Sequence, residues 1–311
     1  MIVASLTRWS WSLDGWIVVV GALAAAACAI PGSLLLLRRM SLMGDAISHA
    51  VLPGIAAAFL LTGNRASLPM FLGAAMVGAL TALASEWLRA RGRVEENASI
   101  GVVFTSLFAL GILLMVRGSA RVDLDPSCVL FGGIEFTPLD LVSIGGVVVP
   151  RAVLTIGGVL VLNVICVVAF CKELALSIFD PQSAASLGLR PRLLQAMVMM
   201  MTAITAVACF ESVGSILVVA LLVVPAATAR LLTLRLSAMV IVAVLVGAVA
   251  AATGHMAAVV VPALLGAGSV NTAGSIAVMA GALLVLVILT RRPRRGVRLE
   301  WRGARRAVHS S

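Results

Sequence analysis

Charge is scarce in this 311-residue chain: 12% of its residues are charged, against 61% hydrophobic. That shortage excludes a soluble globular protein, because the polar surface needed to hold such a chain in water is missing. Catalytic signatures are missing as well. There is no GxxxxGK[ST] phosphate loop, so ATP hydrolysis by this chain is not expected. No Ser–His–Asp or HExxH pattern occurs, which argues against an enzyme acting on soluble substrates. The five cysteines (Cys28, Cys128, Cys166, Cys171, Cys209) show no CxxC spacing and mostly fall in or beside apolar runs, where they read as small packing residues. A cleavable signal is also not expected. Met1 to Trp16 contains Arg8 but no small-residue cleavage site, so the first apolar run is expected to remain a membrane helix.

What is present is a series of apolar spans, at about 16–37, 45–61, 67–88, 99–116, 151–170, 192–210, 212–231, 237–261 and 272–290. The expected fold is all-α: a polytopic membrane protein of eight or nine transmembrane helices. Residues 1–290 are expected to form one membrane domain. Spans six and seven are parted only by the region of Glu211, as a tight hairpin or one broken helix. The stretch 139–149 is too short to span and reads as re-entrant or interfacial.

The net charge of +10 is concentrated at one end. Residues 291–311 hold eight arginines against Glu300, a tail charge of +7. Directly after an apolar helix, such a segment reads as a cytoplasmic tail near anionic lipid, not as a nucleic-acid arm. With the N-terminus outside, the inner segments hold Arg38, Arg39, Arg89, Arg91, Arg93, Lys172, Arg190, Arg192, Arg230, Arg235 and the tail arginines. That is 18 of the 23 basic residues, so the expected orientation is N-terminus out and C-terminus in.

Against this apolar background the segment Gly44-Asp45-Ala46-Ile47-Ser48-His49-Ala50-Val51-Leu52-Pro53-Gly54 stands out. Asp45 and His49 lie four residues apart, on one face of a helix. Ionisable groups inside a membrane cost about 2.5–3.5 kcal/mol each on the most lenient scale, so they are read first as functional. The pair suits a divalent transition metal or a proton relay; the plainer alternative is an ion pair locking two spans. Pro53 removes the hydrogen bond that the His49 carbonyl would accept, which predicts a kink and a free carbonyl oxygen beside the imidazole. Carboxylate, imidazole and carbonyl together suit manganese, zinc or ferrous iron better than a cuprous ion.

Other candidates are few. Glu211 sits at an outer turn, either solvated or at the mouth of a metal path. His255, within span eight, reads as a histidine bonded to a neighbouring carbonyl or as a further ligand. Glu86 is expected to face water or a nearby arginine. The run Met197 to Met201 cannot converge on one ion, because adjacent helical residues point apart, and reads as lipid-facing or packing residues. Between spans five and six, Asp180 suits an N-cap, Pro181 the first helical position and Gly188 the stop, predicting a short helix outside the membrane.

Four ordered motifs carry a resemblance to a known family. Arg38-Arg39-Met40-Ser41-Leu42-Met43 running into Gly44–Gly54 resembles the second-helix signature of the permease subunits of manganese, zinc and iron ATP-binding-cassette importers. Ser99-Ile100-Gly101-Val102-Val103-Phe104-Thr105-Ser106-Leu107-Phe108-Ala109-Leu110-Gly111 is similar to that family's fourth-helix motif. Phe179-Asp180-Pro181 through Leu187-Gly188 resembles its cytoplasmic coupling helix, and Val213 to Ala229 matches a further segment. The resemblance implies the fold of a type II importer permease in a bacterial inner membrane, with no tightly bound cofactor. It implies a second permease subunit, identical or sister, a cytoplasmic ATPase and an extracytoplasmic metal-binding protein. Asp45 and His49 would line the metal path. Phe179, Asp180, Pro181, Ala184, Leu187 and Gly188, within 174–188, would receive the ATPase motion, and Pro53 and Pro225 would act as helix hinges. The outer segment 122–133 and the basic tail look most like the manganese branch. A stand-alone ion-coupled transporter using Asp45 and His49 as its relay is the alternative.

Overall fold

Each apolar span becomes helix. The structure, a computed structural model, describes residues 10–11, 13–40, 42–62, 67–92, 94–119, 133–144, 146–265 and 270–290. Cys128, the tail 291–311 and most of the outer segment 122–133 lie outside the described residues. The helices are α1 (Asp14–Leu37), α2 (Leu42–Ala50), α3 (Leu52–Thr62), α4 (Ser67–Gly92), α5 (Glu96–Ser119), α6 (Arg151–Ala169), α7 (Cys171–Phe179), α8 (Pro181–Ser186), α9 (Pro191–Val213), α10 (Ser215–Leu232), α11 (Leu236–Leu265) and α12 (Thr272–Thr290). Eight of them are long and apolar enough to cross a membrane. The remaining span of the sequence reading is the pair α2–α3, broken at Val51 and together about 30 Å long at helical rise.

Spans six and seven form a tight hairpin. Gly214 alone separates α9 from α10, and its φ of +85° is a conformation that glycine adopts without steric cost. The segment 139–149 does not form a membrane helix. After a 3₁₀ turn (Ile134–Leu139), strands β1 (Leu141–Ile144) and β2 (Val147–Pro150) pair antiparallel, Leu141 opposite Pro150 and Ile144 opposite Val147.

Burial separates the centre of the bundle from its rim. The apolar window of α1 is 72% buried and that of α9 is 67%, against 17% for α5 and α6. The core is therefore built around α1, α9 and α10, while the rim helices show apolar side chains outward, as lipid contact requires. Pro31 lies inside α1 and cannot supply the N–H that the Ala27 carbonyl would accept. The buried Asn163 of α6 replaces it: its Nδ2 donates to Ala27 O at 3.2 Å and to Thr205 Oγ1 of α9 at 2.8 Å. One amide thus ties three helices together where a proline has opened a backbone carbonyl.

Of the cysteines, Cys28 and Cys209 are buried as packing residues, whereas Cys166 is half-buried and Cys171 exposed. Cys28, Cys166, Cys171 and Cys209 are free thiols. Met199 and Met201 are buried in the core, and Glu86 pairs with Arg89 at 2.7 Å.

Candidate functional site

Asp45 and His49 lie on one face of α2, His49 Nε2 standing 3.6 Å from Asp45 Oδ1. That separation exceeds hydrogen-bond length, so this is a loose ion-pair geometry. The two side chains are 36% (His49) and 49% (Asp45) exposed. On the same helix Ile47 is fully buried, and its Cγ2 lies beside Gly78 of α4, as does Ala203 of α9. Both contacts fall midway along those helices, which places the acid–imidazole pair near mid-depth of the bundle. Two aromatic rings from α5 flank the imidazole: Phe104 stacks at 6.2 Å between centroids and Phe108 meets it edge-on at 5.5 Å. They close one side of the pair and leave the other open.

The helix breaks where the proline places the break. Val51 N–H still reaches the Ile47 carbonyl at 3.1 Å, then Gly54 and Ile55 both turn to the Val51 carbonyl at 2.9 and 3.2 Å. Gly54 follows at once and packs backbone to backbone on α4. A Cβ there would sit 2.3 Å from the Gly73 carbonyl oxygen, so only glycine allows this crossing. Pro225, by contrast, lies inside an unbroken α10.

The structure does not bring His255 or Glu211 to this pair. His255 is bonded to Asp14, with Nε2 to Oδ1 at 2.9 Å and only 3% and 15% of the two side chains exposed. This corrects the expectation of a bond to a neighbouring carbonyl: the partner is a carboxylate 241 positions away, at the start of α1. Asp14 lies just ahead of the first apolar span, and nothing in its neighbourhood points to His255. Glu211 lines a cavity of about 220 Å³ with Asp140, Arg151 and Thr155, at the end of the bundle that carries the β-hairpin. Among the described residues no group of three or more His, Cys, Asp or Glu converges to hold a metal ion. Asp45 and His49 therefore offer two ligands, and a metal there needs further donors from backbone, water or a second chain.

At the opposite end, α7 and α8 form an elbow. Asp180 caps α8 as its sequence suggested: its Oδ1 accepts from the Ser183 N–H at 3.0 Å, and its Oδ2 from the Ser183 hydroxyl. These bonds hold the Asp180 carboxyl below its ordinary value of 3.8. Pro181 occupies the first helical position. Gly188, at φ +82°, closes the helix in a Schellman turn, with Leu189 N–H on Ala184 O and Gly188 N–H on Ala185 O. Ala184 is buried against the bundle, whereas Phe179 and Leu187 are 58% and 71% exposed. A link absent from the sequence reading joins the elbow to the site: Arg38 Nη2, at the turn leading into α2, donates to Ser177 Oγ of α7 at 2.7 Å.

Eight membrane-length helices, with an ionisable pair among them and a capped elbow at one end, define a polytopic membrane protein. The chain belongs to the ABC 3 transport family, whose model matches residues 14–291. It is 42% identical over 271 residues to the manganese transport system membrane protein MntD of Bacillus subtilis (strain 168), covering 87% of this chain and 89% of that protein. It is 39% identical over 281 residues to the zinc transport system membrane protein TroD of Treponema pallidum (strain Nichols), covering 90% of this chain and 74% of that protein. Among solved structures it resembles PsaBC from Streptococcus pneumoniae in complex with Fab. There the TM-score is 0.73 at 27% identity, over 96% of this chain and 98% of that one. The chain is accordingly a multi-pass permease of an importer, not itself catalytic.

Proposed function

We propose that this permease carries a divalent transition metal, manganese in the first instance, through a path lined by Asp45 and His49. The observation that supports this reading is the half-exposed acid–imidazole pair beside the break at Pro53. A carboxylate and an imidazole suit manganese, zinc or ferrous iron, and two ligands alone bind weakly enough to release their cargo. The names of the two relatives, one manganese and one zinc, point to the same class of substrate. The open side of the pair is where a second permease subunit, identical or sister, would complete the path.

A separate ATPase would dock at the elbow on the exposed Phe179 and Leu187, with Asp180, Pro181 and Gly188 fixing the shape of α8. The buried Ala184 and the Arg38–Ser177 bond would pass its motion toward α2. Pro53 would serve as the flexible point beside the site, and Pro225 as a second within α10. The end bearing Glu211 would face outward, toward an extracytoplasmic metal-binding protein, with the elbow and the C-terminus in the cytoplasm of a bacterial cell. The asymmetry of basic residues supports that orientation.

The test is uptake of radiolabelled manganese and zinc by cells expressing the chain with its neighbouring transporter subunits, beside a strain whose ATPase is inactive. Metal uptake that vanishes in the second strain is expected. Uptake that persists there would overturn the proposal in favour of a lone ion-coupled transporter.

A further inference from the structure

At the elbow end, between the last turn of α1 and the start of α9, lies a cavity of about 410 Å³. Four arginines line it, Arg38, Arg39, Arg89 and Arg192, and no acidic residue does. Arg89 is offset by Glu86, and Arg38 donates to Ser177, so the walls are positive and ordered. The 23-residue helix α9 opens onto the cavity through Pro191 and Arg192, and its first turn has no side-chain cap, which adds the positive end of a helix dipole. Arg39 is exposed and holds φ at +64°, a conformation glycine or asparagine adopts at lower cost.

The rest of the lining is mixed: Leu37, Met40, Ile178, Pro181 and Pro191 are apolar, Ser177 and Gln195 polar. Trp87, 60% exposed and two residues before Arg89, marks this level of α4 as the membrane–water boundary, where amphipathic rings gather. A pocket at that depth, lined by four arginines with apolar side chains among them, matches the phosphate of a membrane lipid whose acyl chains lie in the adjoining bilayer. Its volume falls within the range of small-molecule pockets, roughly 300–1,000 Å³.

We propose that this cavity binds the headgroup phosphate of an anionic membrane lipid, held by Arg38, Arg39 and Arg192 at the junction of α1, α7 and α9. The site goes beyond the transport reading and stands without it. A lipid there bridges the turn into α2 and the elbow, the two elements that the Arg38–Ser177 bond already joins.

The test is native mass spectrometry of the full chain released from bilayers of equal phosphatidylglycerol and phosphatidylcholine. The parent is expected to retain phosphatidylglycerol selectively. The Arg39→Gln/Arg192→Gln double variant should lose that preference by roughly tenfold or more. The control Arg230→Gln/Arg235→Gln, which removes as much charge elsewhere on the basic segments, should keep it. Soluble glycerol phosphate should not displace the retained lipid. Equal retention by the parent and the Arg39/Arg192 variant overturns the proposal, as does equal loss in the control. Displacement by glycerol phosphate would make the cavity a site for a soluble phosphate compound. Unchanged lipid retention with lost ATPase co-purification would make it a protein-docking site, and the lipid assignment would fall.

Discussion

The same two side chains meet twice in this bundle and end in opposite states. Asp14 and His255 join α1 to α11 at 2.9 Å and are almost wholly buried; Asp45 and His49 share one helix at 3.6 Å and remain between a third and a half exposed. The first pair is tertiary, made by packing two distant helices, and its geometry suits a brace. The second is local, set by a four-residue spacing, and its open face suits a ligand that comes and goes. Surroundings follow suit. Gly254, next to His255, packs so closely that a Cβ would come 2.5 Å from Ile276 Cα on α12, closing the helices around the brace. Next to the open pair the helix is broken and two phenylalanines cover a single side. Identical chemistry thus gives a structural element or a candidate site according to whether the bundle seals it.

The largest effects should come from breaking each pair separately. Asp45→Ala or His49→Ala should lower metal uptake at least about tenfold while membrane abundance and thermal stability hold. His255→Ala should instead cost roughly 1–3 kcal/mol of stability, because it removes one of the two hydrogen bonds of the largely buried Asp14 carboxylate, the other coming from the Ser10 N–H, and show as a lowered unfolding temperature. The comparison breaks if His255→Ala stops uptake at unchanged stability. A double-mutant cycle sharpens it: the coupling energy should be substantial for Asp14–His255 and no more than about 1 kcal/mol for the half-exposed pair.

Next in size is Gly54→Val. The added side chain meets the Gly73 carbonyl, so a loss of about 1–3 kcal/mol together with weaker uptake is expected, read by thermal unfolding and metal flux in parallel. Pro53→Ala should be milder. It returns an N–H to the His49 carbonyl and favours a straight helix, and a few-fold slower uptake at parental stability would support the break as functional. Parental uptake would remove Pro53 from the path.

The smallest effect belongs to the elbow. The Asp180 carboxyl is held low by Ser183, so its contribution is complete at neutral pH and is lost only as pH falls below its ordinary value of 3.8 toward the depressed folded value. ATPase co-purification should therefore be insensitive to pH between neutrality and mild acid in the parent, and reduced at every pH in Asp180→Ala.

Much of this was legible because it is local. Apolar runs set where helices form, since only a helix satisfies its own backbone in lipid. The i, i+4 spacing of Asp45 and His49, the break before Pro53 and the Asp180–Pro181–Gly188 punctuation each depend on residues within one or two turns, and each took the expected geometry. The motifs that suggested the family lie in those same local segments, which is why the family could be named from them.

What the chain by itself determined is therefore its class, its helices, one acid–imidazole face and one capped elbow. Only the tertiary structure decided that His255 answers to Asp14, that Asn163 repairs the carbonyl freed by Pro31, that Arg38 reaches Ser177, and that four arginines surround one cavity. Each of these joins residues scores of positions apart, and no periodicity within a helix encodes which distant helix will lie beside it; that is set when the whole bundle buries its small residues and satisfies its few polar groups together.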